Sequence, residues 1–183
     1  MNTTLVTDSA ITFEDAVTGT GAPRKVIDSL CLINVRHWAF DSQLHQGQLI
    51  VHRSIEKDII EIFELIEEIK FPIERVIPIV KYTWSDDMSM ADNNTSAFNY
   101  RFVSGTERLS HHAYGRAVDI NPRLNPVFYD NGHIDPAGAS YNPERPGTFF
   151  GNHPIVKEFL QRGWRWGGHF RAPLDYHHFD KPI

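Results

Sequence analysis

The chain has 183 residues, which is long enough for one domain with a buried core, and its composition is that of an ordinary globular protein. Hydrophobic residues make up 41% and charged residues 22%, and the absence of any apolar window of about 18 residues excludes a membrane span. The net charge of -5 argues against a nucleic-acid surface, which normally carries a clustered basic face. Because Cys31 is the only cysteine, an internal disulfide bond is also excluded.

The first 25 residues are polar and contain several glycine and proline residues, so we expect a loosely held arm over residues 1–25. A single domain is expected to follow over residues 26–183. The chain does not open with a basic segment and an apolar core, so no secretory signal is visible and the compartment is left open.

Two helices are predicted from apolar periodicity and end signals. The first runs from about residue 55 to 70, with Ser54 as its N-cap and Pro72 marking its end. The second covers residues 154–162, because it begins with proline and is followed by Gly163.

Short strands are predicted at residues 48–52, 76–80 and 117–120, which are rich in β-branched residues and bounded by turn formers. Residues 121–152 contain five prolines and few periodic apolar positions, so they are predicted to form a long loop. Its aromatic residues either line a cleft or anchor the loop. Together these elements predict an α+β fold with a small antiparallel sheet flanked by helices.

Two segments contain residues that bind metals in many proteins. The segment SHHAYGRAVDINP at 110–122 offers His112 and Asp119, and DYHHFD at 175–180 offers His178. Zinc accepts neutral imidazole and carboxylate ligands, and a catalytic zinc commonly takes three protein ligands. From the residues alone, an ordinary hydrogen-bonded pair explains His112 and Asp119 more simply.

The same two segments resemble the M15 zinc peptidases, which are D-alanyl-D-alanine carboxypeptidases and peptidoglycan endopeptidases with a fold similar to the hedgehog signalling domain. The family pattern S-x-H-x-x-G-x-A-x-D is matched by Ser110, His112, Gly115, Ala117 and Asp119. The later GWRWGGHF at 163–170, followed by an acid three residues before the last histidine, is similar to the closing segment of the family. The resemblance covers roughly residues 30–180.

The resemblance implies that His112, Asp119 and His178 bind a single zinc ion and that Asp175 is the general base. Asp175 would take a proton from the zinc-bound water, whose pKa the metal lowers, and would later return it to the leaving amine. The neighbouring His111 and His177 are expected to lie behind the ligands or at the surface.

Three further residues are candidates for contact with the substrate. The resemblance favours Arg101 as the cation that stabilises the oxyanion, with Arg108 and Arg116 as alternatives. Trp166 is a candidate to flank the peptide with its indole, although packing in the core or the cleft wall is the more usual role of such a residue. Ser110 is also placed on the substrate side, and since no nucleophile-elbow pattern surrounds it, we expect it to form local hydrogen bonds.

The carboxypeptidase branch usually has glutamate at the position of Asp175, whereas the L-alanyl-D-glutamate endopeptidases resemble this chain in having aspartate. We therefore expect a monomeric zinc peptidase that acts on the cell wall and cleaves stem peptides between L-alanine and D-glutamate. A D-alanyl-D-alanine carboxypeptidase is the first alternative. A zinc-containing binding module without activity, as in the similar hedgehog domain, is the second, and the presence of Asp175 argues against it.

Overall fold

The computed structural model describes residues 5–182 and confirms the predicted α+β fold. Its α-helices are α1 Phe13–Val17, α2 Arg24–Ile27, α3 Glu56–Glu68, α4 Asp86–Ala91 and α5 Pro154–Gln161. Short 3-10 helices occupy Arg53–Ile55, Ile79–Tyr82, His111–Tyr114 and Gly167–His169. Within residues 5–182, no helix combines the length and the apolar character that crossing a bilayer requires.

The strands form four small sheets. Their bounds are β1 Leu5–Thr7, β2 Leu30–Trp38, β3 Leu44–His52, β4 Arg75–Val76, β5 Asn94–Thr95, β6 Ala117–Asp119, β7 Val127–Phe128, β8 Ile134–Asp135, β9 Arg165–Trp166, β10 Leu174–Asp175 and β11 His178–Asp180. The sheet orders are β1-β3-β2, β4-β5, β6-β11-β9 and β10-β7-β8. Strand β1 is parallel to β3 and β4 to β5, whereas all other pairs are antiparallel.

The main core lies between the β2–β3 hairpin, helix α3 and helix α5. The apolar stripe of α3 is buried, and α5 contributes Phe159, whose ring stacks on Phe179 of β11 at 4.0 Å between centroids. Since side chains alternate along a strand, the inward-pointing Phe179 leaves His178 and Asp180 on the opposite face of β11. The core therefore fixes the strand from which two polar residues project.

Several helices and strands begin or end at residues other than the predicted ones. The first helix begins after a 3-10 turn, which is capped by the ring of His52, since its Nδ1 accepts a hydrogen bond from the Ser54 amide at 3.1 Å. The strand predicted at 76–80 ends at Val76, because Pro78 has no N–H for a ladder and a 3-10 helix follows. The long strand β2 and the short strands β7 and β8 inside the expected loop were not predicted.

The N-terminal segment differs from the loosely held arm that the sequence predicts. Strand β1 pairs in register with β3, and the Ser9 hydroxyl donates to the side-chain oxygen of Gln48 at 2.7 Å. Ala16 of α1 is fully buried in a second apolar cluster with Leu30 and Phe98. Residues 1–4 lie outside the described part of the chain, and the single domain over residues 26–183 stays a prediction.

Candidate metal centre

The side chains of His112, Asp119 and His178 converge on one point. The Nε2 atom of His112 lies 3.1 Å from Oδ2 of Asp119, and Nδ1 of His178 lies 2.9 Å from Oδ1 of the same carboxylate. The two imidazole nitrogens are 3.2 Å apart. One donor atom from each of the three residues lies within 4.8 Å of the others, which is close enough for the group to hold a metal ion.

Two strands and a turn bring these residues together. Asp119 and His178 are directly opposite each other in the antiparallel pair of β6 and β11. His112 lies in the 3-10 helix before β6, which ends at Gly115 with a φ of 63°. A side chain at Gly115 would also approach the Leu30 side chain to 2.6 Å and the His52 amide to 2.8 Å. Glycine is therefore required there both for the turn and for the close approach.

Outer contacts orient both imidazole rings for metal binding. The Nδ1 atom of His112 contacts the Ala97 carbonyl oxygen, which can only accept a hydrogen bond. Nδ1 therefore carries the proton, and Nε2 of His112 presents a lone pair. The Nε2 atom of His178 lies 3.4 Å from Asp180, which forms two 2.7 Å hydrogen bonds with Arg165. Such outer partners fix the tautomer of a ligating histidine. This donor set therefore fits zinc.

The electrostatics of the cluster also favour a cation. Burial alone lowers the pKa of His178, but hydrogen bonds to Asp119 and Asp180 and the charge of Asp175 raise it to about 10. Burial also opposes the charged form of Asp119. The charge of His112 and its hydrogen bond to Asp119 nevertheless hold the pKa of that carboxyl well below its usual range. Three carboxylates thus surround one imidazole, and a divalent cation would be attracted by the same field.

Asp175 lies next to this cluster but belongs to a different sheet. It ends β10, and the chain turns through Tyr176 and His177 before β11 begins at His178. Asp175 and His178 therefore lie on strands of two different sheets. Gly167 permits the arrangement, since a Cβ atom there would come within 2.2 Å of the Asp175 carbonyl oxygen.

The Asp175 carboxylate is held beside a buried histidine. Its Oδ1 is buried and lies 3.1 Å from Nε2 of His177, although this contact lacks hydrogen-bond geometry. The Nδ1 atom of His177 contacts the Asn125 carbonyl oxygen at 2.8 Å. His177 therefore lies behind the site, whereas His111 lies at its edge near Arg165.

Arg101 is not adjacent to the three convergent residues. Its guanidinium pairs with Asp86 at 2.8 Å, and its buried Nε has no hydrogen-bond partner. It nevertheless shares surroundings with Asp175, because both charges act on the hydroxyl of Tyr129. Of the alternatives, Arg116 donates hydrogen bonds from its guanidinium to the carbonyl oxygens of Lys181 and Pro182.

The side chains of Trp166 and Ser110 are both buried. Trp166 is only 2% exposed, its ring lies in the main core, and its Nε1–H donates to the Tyr176 carbonyl oxygen at 2.9 Å. Ser110 is 5% exposed, and its hydroxyl accepts from the His112 amide at 3.2 Å as the cap of the 3-10 helix. In the structure both therefore support the site from within the fold, and their contact with a substrate stays a prediction.

Two residues with functional surroundings were not selected from the sequence. Asp180 could have been found, because residues two apart on a strand share a face and it follows His178 at that spacing. Tyr129 is one of the loop aromatics for which the sequence left cleft lining and anchoring open, because its position depends on the β7–β8 hairpin. Burial and the nearby carboxylates of Asp135 and Asp175 raise the pKa of its phenol, while Arg101 opposes the rise.

Residues 104–181 match a family model of the M15 peptidases that is described as D-alanyl-D-alanine carboxypeptidase. The comparisons with curated proteins and with solved structures give no match. The matched segment contains His112, Asp119, Asp175 and His178, and it begins after Arg101.

Proposed function

We propose that the chain, whose residues 104–181 match the M15 peptidase model, is a zinc-dependent hydrolase of peptidoglycan stem peptides. The observation that supports this proposal most strongly is the convergence of His112, Asp119 and His178 beside the carboxylate of Asp175. These three residues would hold the ion. When bound, zinc lowers the pKa of a coordinated water and polarises a carbonyl group.

In this proposal, Asp175 moves the proton. Its carboxylate accepts the proton of the attacking water and then donates it to the amine that leaves. The position of Asp175 supports this role, because its charge acts on His178, one of the three residues that would hold the ion. His177 backs the carboxylate at 3.1 Å and thereby restricts its rotation.

We assign stabilisation of the developing oxyanion to Arg101, with Tyr129 beside it. A cation and a phenol hydroxyl are both groups that stabilise negative charge at the reacting carbonyl. Their common proximity to Asp175 supports the assignment. The Asp86 partner of Arg101 would hold the guanidinium in one orientation.

We propose that the bond cleaved lies between L-alanine and D-glutamate, because position 175 carries aspartate where the carboxypeptidase branch usually carries glutamate. Removal of a terminal D-alanine is the second candidate. The description of the matching family model, D-alanyl-D-alanine carboxypeptidase, favours that candidate.

Mass spectrometry of purified muropeptides incubated with the zinc-loaded protein tests the proposal. Release of the stem after L-alanine is expected, and loss of only a terminal D-alanine would establish the second candidate. Chelator treatment and the Asp175→Ala variant should both abolish product. The Asp130→Ala variant is a matched control, because Asp130 is an exposed aspartate on the neighbouring hairpin.

The same experiment distinguishes an enzyme from a binding module. A protein that holds zinc but releases no product from any muropeptide would contradict the hydrolase. If Asp175→Ala then bound muropeptides as well as the unmodified chain, a zinc-containing binding module would replace it.

A further inference from the structure

A second cluster of two histidines and one aspartate lies outside the matched segment. The Nε2 atom of His37 is 3.0 Å from Oδ2 of Asp8, and Nδ1 of His45 is 2.7 Å from Oδ1 of the same carboxylate. One donor atom from each residue lies within 4.8 Å of the others.

The geometry of this cluster parallels that of the first one. In both, the two oxygens of one carboxylate each face a different imidazole, one through Nε2 and the other through Nδ1. In both, the histidine that faces through Nδ1 has a second carboxylate on its Nε2, which is Asp180 for His178 and Asp41 for His45 at 3.1 Å. A carboxylate behind the ring is the usual support of a ligating histidine.

Three adjacent strands hold the second cluster. His37 of β2 and His45 of β3 are directly opposite each other in the hairpin, and Asp8 follows the end of β1 on the other side of β3. The Val76 amide donates to Asp8 at 2.9 Å and fixes the carboxylate from a fourth segment. Ligands on paired strands are better preorganised than ligands on loops.

The cluster is buried but can be reached from solvent. His37 is fully buried, and the side chains of Asp8 and His45 are 7% and 11% exposed. Asp8 and His45 border a surface cleft of about 200 Å³, which Asp41 and Glu74 also line. An ion could therefore enter from the cleft, and its remaining coordination position would face water.

We propose that Asp8, His37 and His45 form a second divalent-cation site. Two imidazoles and one carboxylate suit zinc or a similar transition metal and disfavour magnesium or calcium, which prefer oxygen ligands alone. Because two ligands lie on β2 and β3 and the third directly follows β1, the ion would connect β1 to the β2–β3 hairpin and stabilise the N-terminal segment. This site does not depend on the proposed peptidase activity.

Metal analysis of the full chain after zinc loading and desalting tests the proposal. We expect about two zinc ions per chain, and about one in either His45→Gln or Asp119→Asn, because each variant removes a ligand from one cluster. Asp41→Asn should weaken the second site while keeping its three ligands. One ion in the unmodified chain, or two in His45→Gln, would overturn the proposal and leave the cluster as a hydrogen-bonded network.

A measurement on the unmodified chain tests the proposal even if the variants fail to fold. Cadmium-113 NMR of the cadmium-loaded protein should give two resonances, because the two sites have different surroundings. Zinc should also raise the melting temperature of Asp119→Asn, in which only the second site is intact. A single cadmium resonance, or no zinc-dependent shift in Asp119→Asn, would contradict the second site without bearing on peptide hydrolysis.

Discussion

The ring of His177 lies between Asp175 and the backbone of the long loop, with Nε2 3.1 Å from Asp175 Oδ1 and Nδ1 2.8 Å from the Asn125 carbonyl oxygen. The carbonyl oxygen requires a proton on Nδ1, which determines the orientation of the ring. At 3% exposure, His177 has no freedom to turn away. The loop thereby positions the proposed base through one side chain.

Substituting His177→Ala should lower kcat about tenfold or more and leave zinc content and KM largely unchanged, since the base would lose its support while the ligands remain. Steady-state kinetics with metal analysis checks this expectation. The matched control is His133→Ala, because His133 is 57% exposed and also pairs with an aspartate, Asp135. A change confined to KM, or loss of zinc, would show that His177 does not act through Asp175.

The variant Asp180→Ala should weaken zinc binding about 10- to 100-fold, because His178 would lose the carboxylate behind its Nε2. Competition with a chromogenic chelator measures the affinity. The zinc affinity of Asp180→Asn should lie between those of the unmodified chain and Asp180→Ala, because the amide oxygen of asparagine can still accept a hydrogen bond from the ring. Unchanged affinity in Asp180→Ala would exclude the supporting role.

Substituting two glycines with similar backbone angles distinguishes the stability cost of backbone strain from that of steric contact. Gly115 and Gly105 have φ values of 63° and 71°, but only Gly115 has neighbours within 4 Å of an added Cβ. We expect Gly105→Ala to lower the free energy of unfolding by about 1 kcal/mol and Gly115→Ala by more than about 2 kcal/mol. Denaturant unfolding of both variants compares them, and equal losses would contradict the contact with Leu30 and His52.

His153 should make the fold less stable in acid. Burial among aromatic rings lowers the pKa of His153 to about 4 from the 6.5 of a free histidine. Between these values the unfolded chain binds a proton that the folded chain does not, so stability falls as the pH falls from about 6.5 towards 4. Because solvent screens this half-buried group, we expect a loss of about 1 kcal/mol at pH 4.5 relative to pH 7.

The variant His153→Asn isolates that contribution. His153 caps α5 by accepting from the Ile155 amide at 3.3 Å, and asparagine can replace this cap without titrating. Denaturant unfolding at several pH values should therefore show a shallower acid dependence in the variant. An identical dependence in both proteins would mean that other groups cause the acid loss.

The sequence predicted local features better than tertiary ones. The apolar stripe of α3 and the proline at the start of α5 were sufficient to find both helices, because these signals lie within one element. Strands β1 and β11 are only three residues long and carry no such signal. Strand β1 forms by pairing with the edge of β3. The order of motifs suggested His112, Asp119 and His178 together, but Tyr129 and the Asp8 cluster depend on contacts between distant segments.

The division of Asp175 and His178 between two sheets has a consequence for variation among such proteins. Strand β10 pairs with the β7–β8 hairpin of the long loop, while β11 pairs with β6 and β9. Insertions or substitutions in the loop would therefore shift Asp175, the proposed base, together with the β7–β8 hairpin. The ion would keep its coordination, so substrate preference could change without loss of the metal.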